Sequence, residues 1–310
     1  YNPYFLSCAY FPSRELNEYY SYDGYDMNVS ALLGGYFSDI DLASNTLQYT
    51  FQDDILAVFT VWSIFCKTRD KTWLKDIFDL LKKEYVPCSK LVISDLTKEV
   101  LGQRLDLMPI CNSQNNEYFY RLDLNCIKLL NLELLEKMAT VLRDRSVEKY
   151  QKAKVELKNS INDKLFNQEL GIYMDKNLGG EFVKTLSYSS FYPLFTCLID
   201  DSTVLDKMIK YLLSKKRFGG EFILSTLSKD NPEYGRKYRD AKNGEFGQPY
   251  SNYRGEIVPI VNYLVYRGLV RQGLAELAGE FAQKCVNLYN KHCTRGRYNI
   301  FDRYLPNKYV

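Results

Sequence analysis

The chain has one histidine, His292, and that scarcity removes much of the catalytic repertoire at once. A Ser-His-Asp or Cys-His arrangement would have to be built on this residue, and a zinc site usually needs more imidazoles or paired thiols. His292 reads instead as a partly exposed residue near a helix C-terminus, where a cation is favoured. The eight cysteines include no Cys-x-x-Cys pair and stand mostly among apolar neighbours. They read as reduced, buried small hydrophobes of a cytoplasmic protein. No run of about eighteen apolar residues occurs, so nothing reads as a membrane-spanning helix. A net charge of +3 without a basic run gives no nucleic-acid footprint. The chain opens at Tyr1 with no initiator Met, basic n-region or apolar h-region, and a targeting segment removed ahead of it stays open.

What is present is aromatic and acidic. The 27 tyrosines and 17 phenylalanines far exceed the two tryptophans. A tyrosine offers an apolar ring face with a polar tip, which suits sugars that are apolar on one face and hydroxylated at the edge. Most of them are structural all the same. With imidazole and thiol chemistry set aside, the remaining catalytic material is carboxylate.

Periodicity is helical almost throughout. Apolar positions from Val29 to Leu47 break at Ser38–Asp39 and predict two short helices over 26–50. Further helices are expected over about 53–67 and 71–84, the second ending before Pro87. The clearest stripe, Leu122 to Leu142, predicts a helix over 122–143, followed by one over about 145–165. Shorter helices are expected near 189–199 and 202–214, and longer ones near 257–271 and 274–293. Short joints favour antiparallel hairpins. The segments 87–120, 168–188 and 216–255 read as long loops, rich in Gly, Asn, Ser, Tyr and charge. The expected fold is all-α, an (α/α) toroid of helical hairpins with those loops at one mouth, in a single domain over 1–310. Whether further N-terminal elements belong to it stays open.

Four stretches carry a family resemblance. They are Tyr120-Arg-Leu-Asp-Leu-Asn125, Ile161 through Asp175, Ser187-Tyr-Ser-Ser-Phe-Tyr-Pro-Leu-Phe195, and Asn252-Tyr-Arg-Gly-Glu256 with the helix after it. In order and spacing the set resembles glycoside hydrolase family 63 and its relatives, the processing α-glucosidases, mannosylglycerate hydrolases and trehalases. That resemblance implies an (α/α)6 barrel and hydrolysis of an α-linked glucoside or mannoside with inversion. No metal or organic cofactor and no partner beyond a small carbohydrate is expected; the oligomeric state is left open.

The resemblance also implies site residues. The family's general acid is an Asp in a Glu-Ser-Gly-x-Asp-Asn-Ser-Pro loop, and here Gly102-Gln-Arg-Leu-Asp-Leu-Met-Pro109 keeps only Asp106 and Pro109 of its functional positions. The family's general base is a Glu, and Gly296-Arg-Tyr-Asn-Ile-Phe-Asp-Arg-Tyr-Leu-Pro306 puts Asp302 in its place. The surroundings agree with these roles. Leu105, Leu107 and Met108 would raise the pKa of Asp106, whereas Arg303 beside Asp302 favours the ionised form a base requires. Arg254 offers fixed donors for a sugar hydroxyl or carboxylate. Substrate contacts are expected from Arg254, Tyr253, Asp26, Tyr25, Glu256, Asp123 and Tyr304, with Asp23 and Glu245 as weaker candidates. Each has a structural rival: Asp106 as a turn cap, Asp302 as a surface ion pair, Glu256 as the acidic start of a helix. Two other functions stay open, a sugar-binding barrel that has lost catalysis and a helical scaffold for a protein partner.

Overall fold

The computed structural model describes residues 56–84, 119–177, 179–184, 186–221, 224–232, 234, 255 and 257–292. The two helices expected over 26–50 lie outside them. Contacts divide the chain into two units, one of Tyr1–Val92 with Ile127–Leu157, the other of Ile93–Cys126 with Lys158–Val310.

In the first unit, α1 spans Ala57–Thr68 and α2 spans Lys71–Glu84. Val58, Val61, Ile64 and Phe65 put α1's apolar stripe inside, and its end is set by Arg69 in the left-handed region, whose N–H returns to Phe65 O. Asp70 then starts α2, its Oδ1 accepting from the N–H groups of Thr72 at 2.9 Å and Trp73 at 3.0 Å. Leu74, Ile77, Phe78 and Leu81 bury one face of α2 at helical spacing. The helices α3 (Leu122–Leu142) and α4 (Val147–Leu165) pass through both units. Leu129, Leu130, Leu132, Leu134, Leu135 and Met138 are all buried, so α3 is enclosed on nearly every side. Asp144 begins α4 by accepting from Ser146, and it also receives Lys82 Nζ at 2.8 Å. The Lys82 bond, then the Ser146 hydroxyl, hold its carboxyl down at about 2.

The second unit contains two short antiparallel ladders. β1 (Phe119–Tyr120) pairs with β4 (Lys176–Asn177), and β2 (Phe166–Asn167) pairs with β3 (Ile172–Tyr173). The β2–β3 turn closes on Gly171 at φ 62°, whose N–H reaches Asn167 O at 2.7 Å. A 3-10 helix, Tyr188–Phe195, follows. An α-helix was expected near 189–199, but Pro193 falls mid-segment, where it removes a backbone donor, and Thr196 is already extended. The remaining helices are α5 (Ser202–Leu213), α6 (Pro259–Arg271) and α7 (Ala275–His292), each within a few residues of its expected bounds. His292 is indeed the last residue of a helix. Among the described residues no helix is long and apolar enough to cross a membrane.

The cysteine expectation needs correction. None of the four described cysteines forms a disulfide, but only Cys126 is buried, while Cys66, Cys197 and Cys285 are half-buried. Cys66 follows the buried Phe65 on α1 and so sits about 100° round the helix from it, at the margin of the apolar stripe.

α6 packs along the 3-10 helix and against α7. Gly268 permits this: a Cβ there would lie 2.7 Å from Leu194 Cβ and 2.9 Å from its carbonyl carbon. Gln272 Nε2 and Arg271 Nη1 donate to the carbonyls of Leu194 and Phe195 just beyond. Gly268→Ala gains helix propensity but must push backbone aside, so a net loss of about 1–3 kcal/mol is expected from denaturant midpoints. A midpoint unchanged or raised would show that the contact yields freely.

Candidate active site

The β1–β4 ladder pairs Tyr120 with Lys176, which brings Arg121 and Asp175 to adjacent ends of the two strands. α3 begins one residue later, and its exposed N–H groups need acceptors. Asp175 Oδ1 takes the N–H of Leu122 at 2.7 Å, placing a carboxyl at the positive end of α3. Asn125 Nδ2 and N–H both donate to Arg121 O, which fixes the backbone entering the helix.

Asp123 then turns back onto Arg121. Nε donates to Oδ1 at 3.0 Å and Nη2 to Oδ2 at 2.5 Å, a two-pronged pair that is almost wholly buried. The N–H of Leu124 also donates to Oδ1, and the Tyr188 hydroxyl donates to Oδ2 at 2.8 Å across 65 residues. Four donors therefore fill the acceptor directions of Asp123. Burial alone would oppose the Arg121 charge, but Asp123 outweighs it and the guanidinium is held firmly protonated. Burial, and then the Asp123 charge, push the Tyr188 hydroxyl far above its ordinary range, so it stays a neutral donor.

Asp175 has a second bond, its Oδ2 accepting from Ser189 Oγ at 3.1 Å, and Ser189 in turn shares a 2.8 Å contact with Ser187 Oγ. Burial, and then the neighbouring Asp123 charge, raise the Asp175 carboxyl to about 6, against the pull of Leu122 N–H, Arg121 and Ser189. The sign follows from the raised value: the group's contribution to stability is fully present below about pH 4 and is lost as pH rises through about 6. The Cys126 thiol is pushed up by burial and then by Asp123, so it is no thiolate.

A further link reaches Gly255. Tyr188 N–H donates to Thr226 O, and Thr226 Oγ1 accepts the N–H of Gly255 at 3.1 Å. Gly255 has φ 115°, and a Cβ there would stand 2.7 Å from the Tyr234 ring. Only glycine fits both demands. All four stretches singled out in the sequence thus meet through hydrogen bonds: Arg121–Asn125, Asp175, Ser187–Ser189 and Gly255.

Of the expected site residues, Asp123 stands in this constellation. Asp106, Asp302, Arg254, Tyr253, Asp26, Tyr25, Glu256 and Tyr304, with Asp23 and Glu245, lie outside the described residues. Arg121, Asp175, Tyr188, Ser189 and Thr226 were not anticipated. The first four do fall within or at the end of the stretches that carried the resemblance, a signal that gave their neighbourhood but not their partners. Among the described residues no three metal-binding side chains converge.

Comparisons with known proteins agree in direction. The family described as the mannosylglycerate hydrolase MGH1-like glycoside hydrolase domain matches residues 103–307. An uncharacterized protein of Borreliella burgdorferi is 25% identical over 245 residues, covering 78% of this chain and 48% of that protein. A sialidase structure aligns at a TM-score of 0.61 with 16% identity, over 79% of this chain and 22% of its own. A family 63 mannosylglycerate hydrolase from Thermus thermophilus, in complex with Tris, aligns at 0.53 with 16% identity, over 96% and 76% of the two chains. The chain thus spans about half of the curated relative (48%) and under a quarter of the sialidase (22%). At such identities the structural likeness shows the fold, which is the (α/α)6 fold expected from the sequence.

Proposed function

Since this chain belongs to the mannosylglycerate hydrolase MGH1-like glycoside hydrolase domain family, we propose that it hydrolyses an α-linked glucoside or mannoside with inversion of the anomeric carbon. Asp106 gives its proton to the leaving oxygen. Asp302 takes a proton from the water that attacks the opposite face of the sugar. Arg254, Tyr253, Tyr25, Asp26, Glu256 and Tyr304 contact substrate. Asp123 contributes through the groups it holds, because its own oxygens are already engaged by Arg121, Leu124 and Tyr188. The whole chain, 1–310, acts as one catalytic domain on a small carbohydrate, without cofactor or nucleic acid. We place it in a reducing cytoplasm, with which the absence of a disulfide among the four described cysteines is in keeping.

The observation that supports the reading most is the meeting of the four stretches on a rigid, buried, polar constellation. A core without function has little use for a buried ion pair, since apolar side chains of like volume are often equally stable there. The test is a screen of nitrophenyl α- and β-glycosides, α-linked disaccharides and mannosylglycerate, with the first-formed anomer followed by proton NMR. Release of the β-anomer from an α-glycoside is expected. Release of the α-anomer would replace inversion by a double displacement. Sugar binding without any hydrolysis would favour the barrel that has lost catalysis.

A further inference from the structure

The bonds around Asp175 form a closed circuit. Its two oxygens reach Leu122 N–H on α3 and Ser189 Oγ on the 3-10 helix. Next to Leu122 stands Asp123, next to Ser189 stands Tyr188, and the Tyr188 hydroxyl closes the loop on Asp123. We propose that Asp175 is a positioning residue for substrate binding, locking the start of α3 to the Ser187–Ser189 turn so that Arg121, Asp123 and Tyr188 keep one arrangement. This rests on the reading of the constellation as part of a glycoside hydrolase site.

Two features separate this role from plain helix capping. A cap needs one oxygen, whereas Asp175 uses both, on elements 53 and 14 residues away in the chain. The ladder already holds residues 175 and 121 side by side, so the side chain is not needed to bring the strands together. What it fixes is the helix start relative to the turn that carries Tyr188.

Protonation changes the strength of the lock. The ionised carboxylate makes the stronger, charge-assisted bonds to Leu122 N–H and Ser189 Oγ, and the neutral acid makes weaker ones. Among the described residues, the charged and titratable groups facing it are Arg121, Asp123 and Cys126 on the α3 side. On the 3-10 side the contact is the Ser189 hydroxyl, and the adjacent Tyr188, bonded to Asp123, stays neutral. Arg121 is held charged and Cys126 protonated, and the Asp175 carboxyl is raised to about 6 by its burial and the Asp123 charge. The lock therefore tightens as pH rises through about 6, while folding stability moves the opposite way.

The experiment uses the full chain with Asp175→Asn and Asp175→Ala, nitrophenyl α-glucoside and α-mannoside as probes, and the Leu122 amide shift followed by NMR against pH. In the wild type, KM is expected to fall as pH rises through about 6, and the Leu122 amide to titrate with the same midpoint. Asp175→Asn should hold KM near the wild type's low-pH level throughout and abolish the amide inflection, with kcat little changed. Asp175→Ala should raise KM about 10- to 100-fold, as expected for loss of a bond to a charged acceptor. The proposal falls if Asp175→Asn keeps the wild-type pH dependence of KM, or if a folded Asp175→Ala binds both probes as the wild type does. Should the alanine variant fail to fold, the asparagine variant and the amide titration decide. Should the wild type hydrolyse neither probe, that counts against the glycoside hydrolase reading. The wild-type Leu122 amide would then test the lock alone, and its failure to titrate would overturn the proposal.

Discussion

Asp106→Asn is expected to lower turnover by about 10²–10⁴-fold while leaving the fold intact. Asparagine keeps the shape of the side chain and removes the proton that the leaving oxygen must receive. Without that proton the departing alkoxide is a poor leaving group, and the oxocarbenium-like transition state loses its main assistance. A substrate with an activated leaving group, such as a nitrophenyl glycoside, should suffer less than a disaccharide, because it depends less on the acid. That contrast separates loss of an acid from general damage to the site, which would depress both alike. The proposed base should answer differently. Asp302→Ala should abolish hydrolysis of either substrate class while sugar binding persists, and Asp302→Glu should be tolerated, since it restores the longer carboxylate of the related enzymes. Equal losses on both substrate classes in Asp106→Asn would move the acid elsewhere. An active Asp302→Ala together with an inactive Glu256→Gln would move the base to the Arg-Gly-Glu segment.

Asp123→Ala should cost about 3–5 kcal/mol of stability, read from chemical denaturation. Its carboxylate is paired by two bonds to a guanidinium with a side chain only 10% exposed. Removing it leaves a buried cation with no counter-charge at that position and deprives the Tyr188 hydroxyl of its acceptor, and each loss is costly on its own. Arg121 cannot escape by releasing a proton at neutral pH. The double variant Arg121→Met/Asp123→Leu supplies the control. Removing both charges and filling the volume should recover most of the loss, because an apolar replacement of a buried pair is often neutral. If Asp123→Ala cost less than about 1 kcal/mol, water would have to reach the pair easily, contrary to its burial. If the double variant stayed as unstable as the single one, the loss would stem from packing and not from the stranded charge.

The sequence by itself determined most of the described helices. Leu74, Ile77, Phe78 and Leu81 repeat at helical spacing and bury one face of α2, and Asp70 caps it through local bonds two and three residues away. The leucine run of α3 was equally legible, because propensity and periodicity act over a few residues; the positive φ at Gly255 was not read from the sequence. The four family-like stretches gave the neighbourhood of the candidate site in the same way. Tertiary structure alone decided the partners. The Tyr188–Asp123 bond spans 65 residues and the Asp175–Leu122 bond spans 53, and no local periodicity encodes either. Arg121 and Asp123 stand two apart, a spacing that does not meet on a helix. They pair because Arg121 precedes α3, held by the β1–β4 ladder and the Asn125 clamp on its carbonyl. The half-buried Cys66 edge has the same origin, whereas the 3-10 helix around Pro193 follows from the missing backbone donor of that residue, a local effect. Which face is buried, and which carboxyl meets which donor, is fixed by packing between segments distant in the chain, where burial makes an unpaired charge too costly to leave alone.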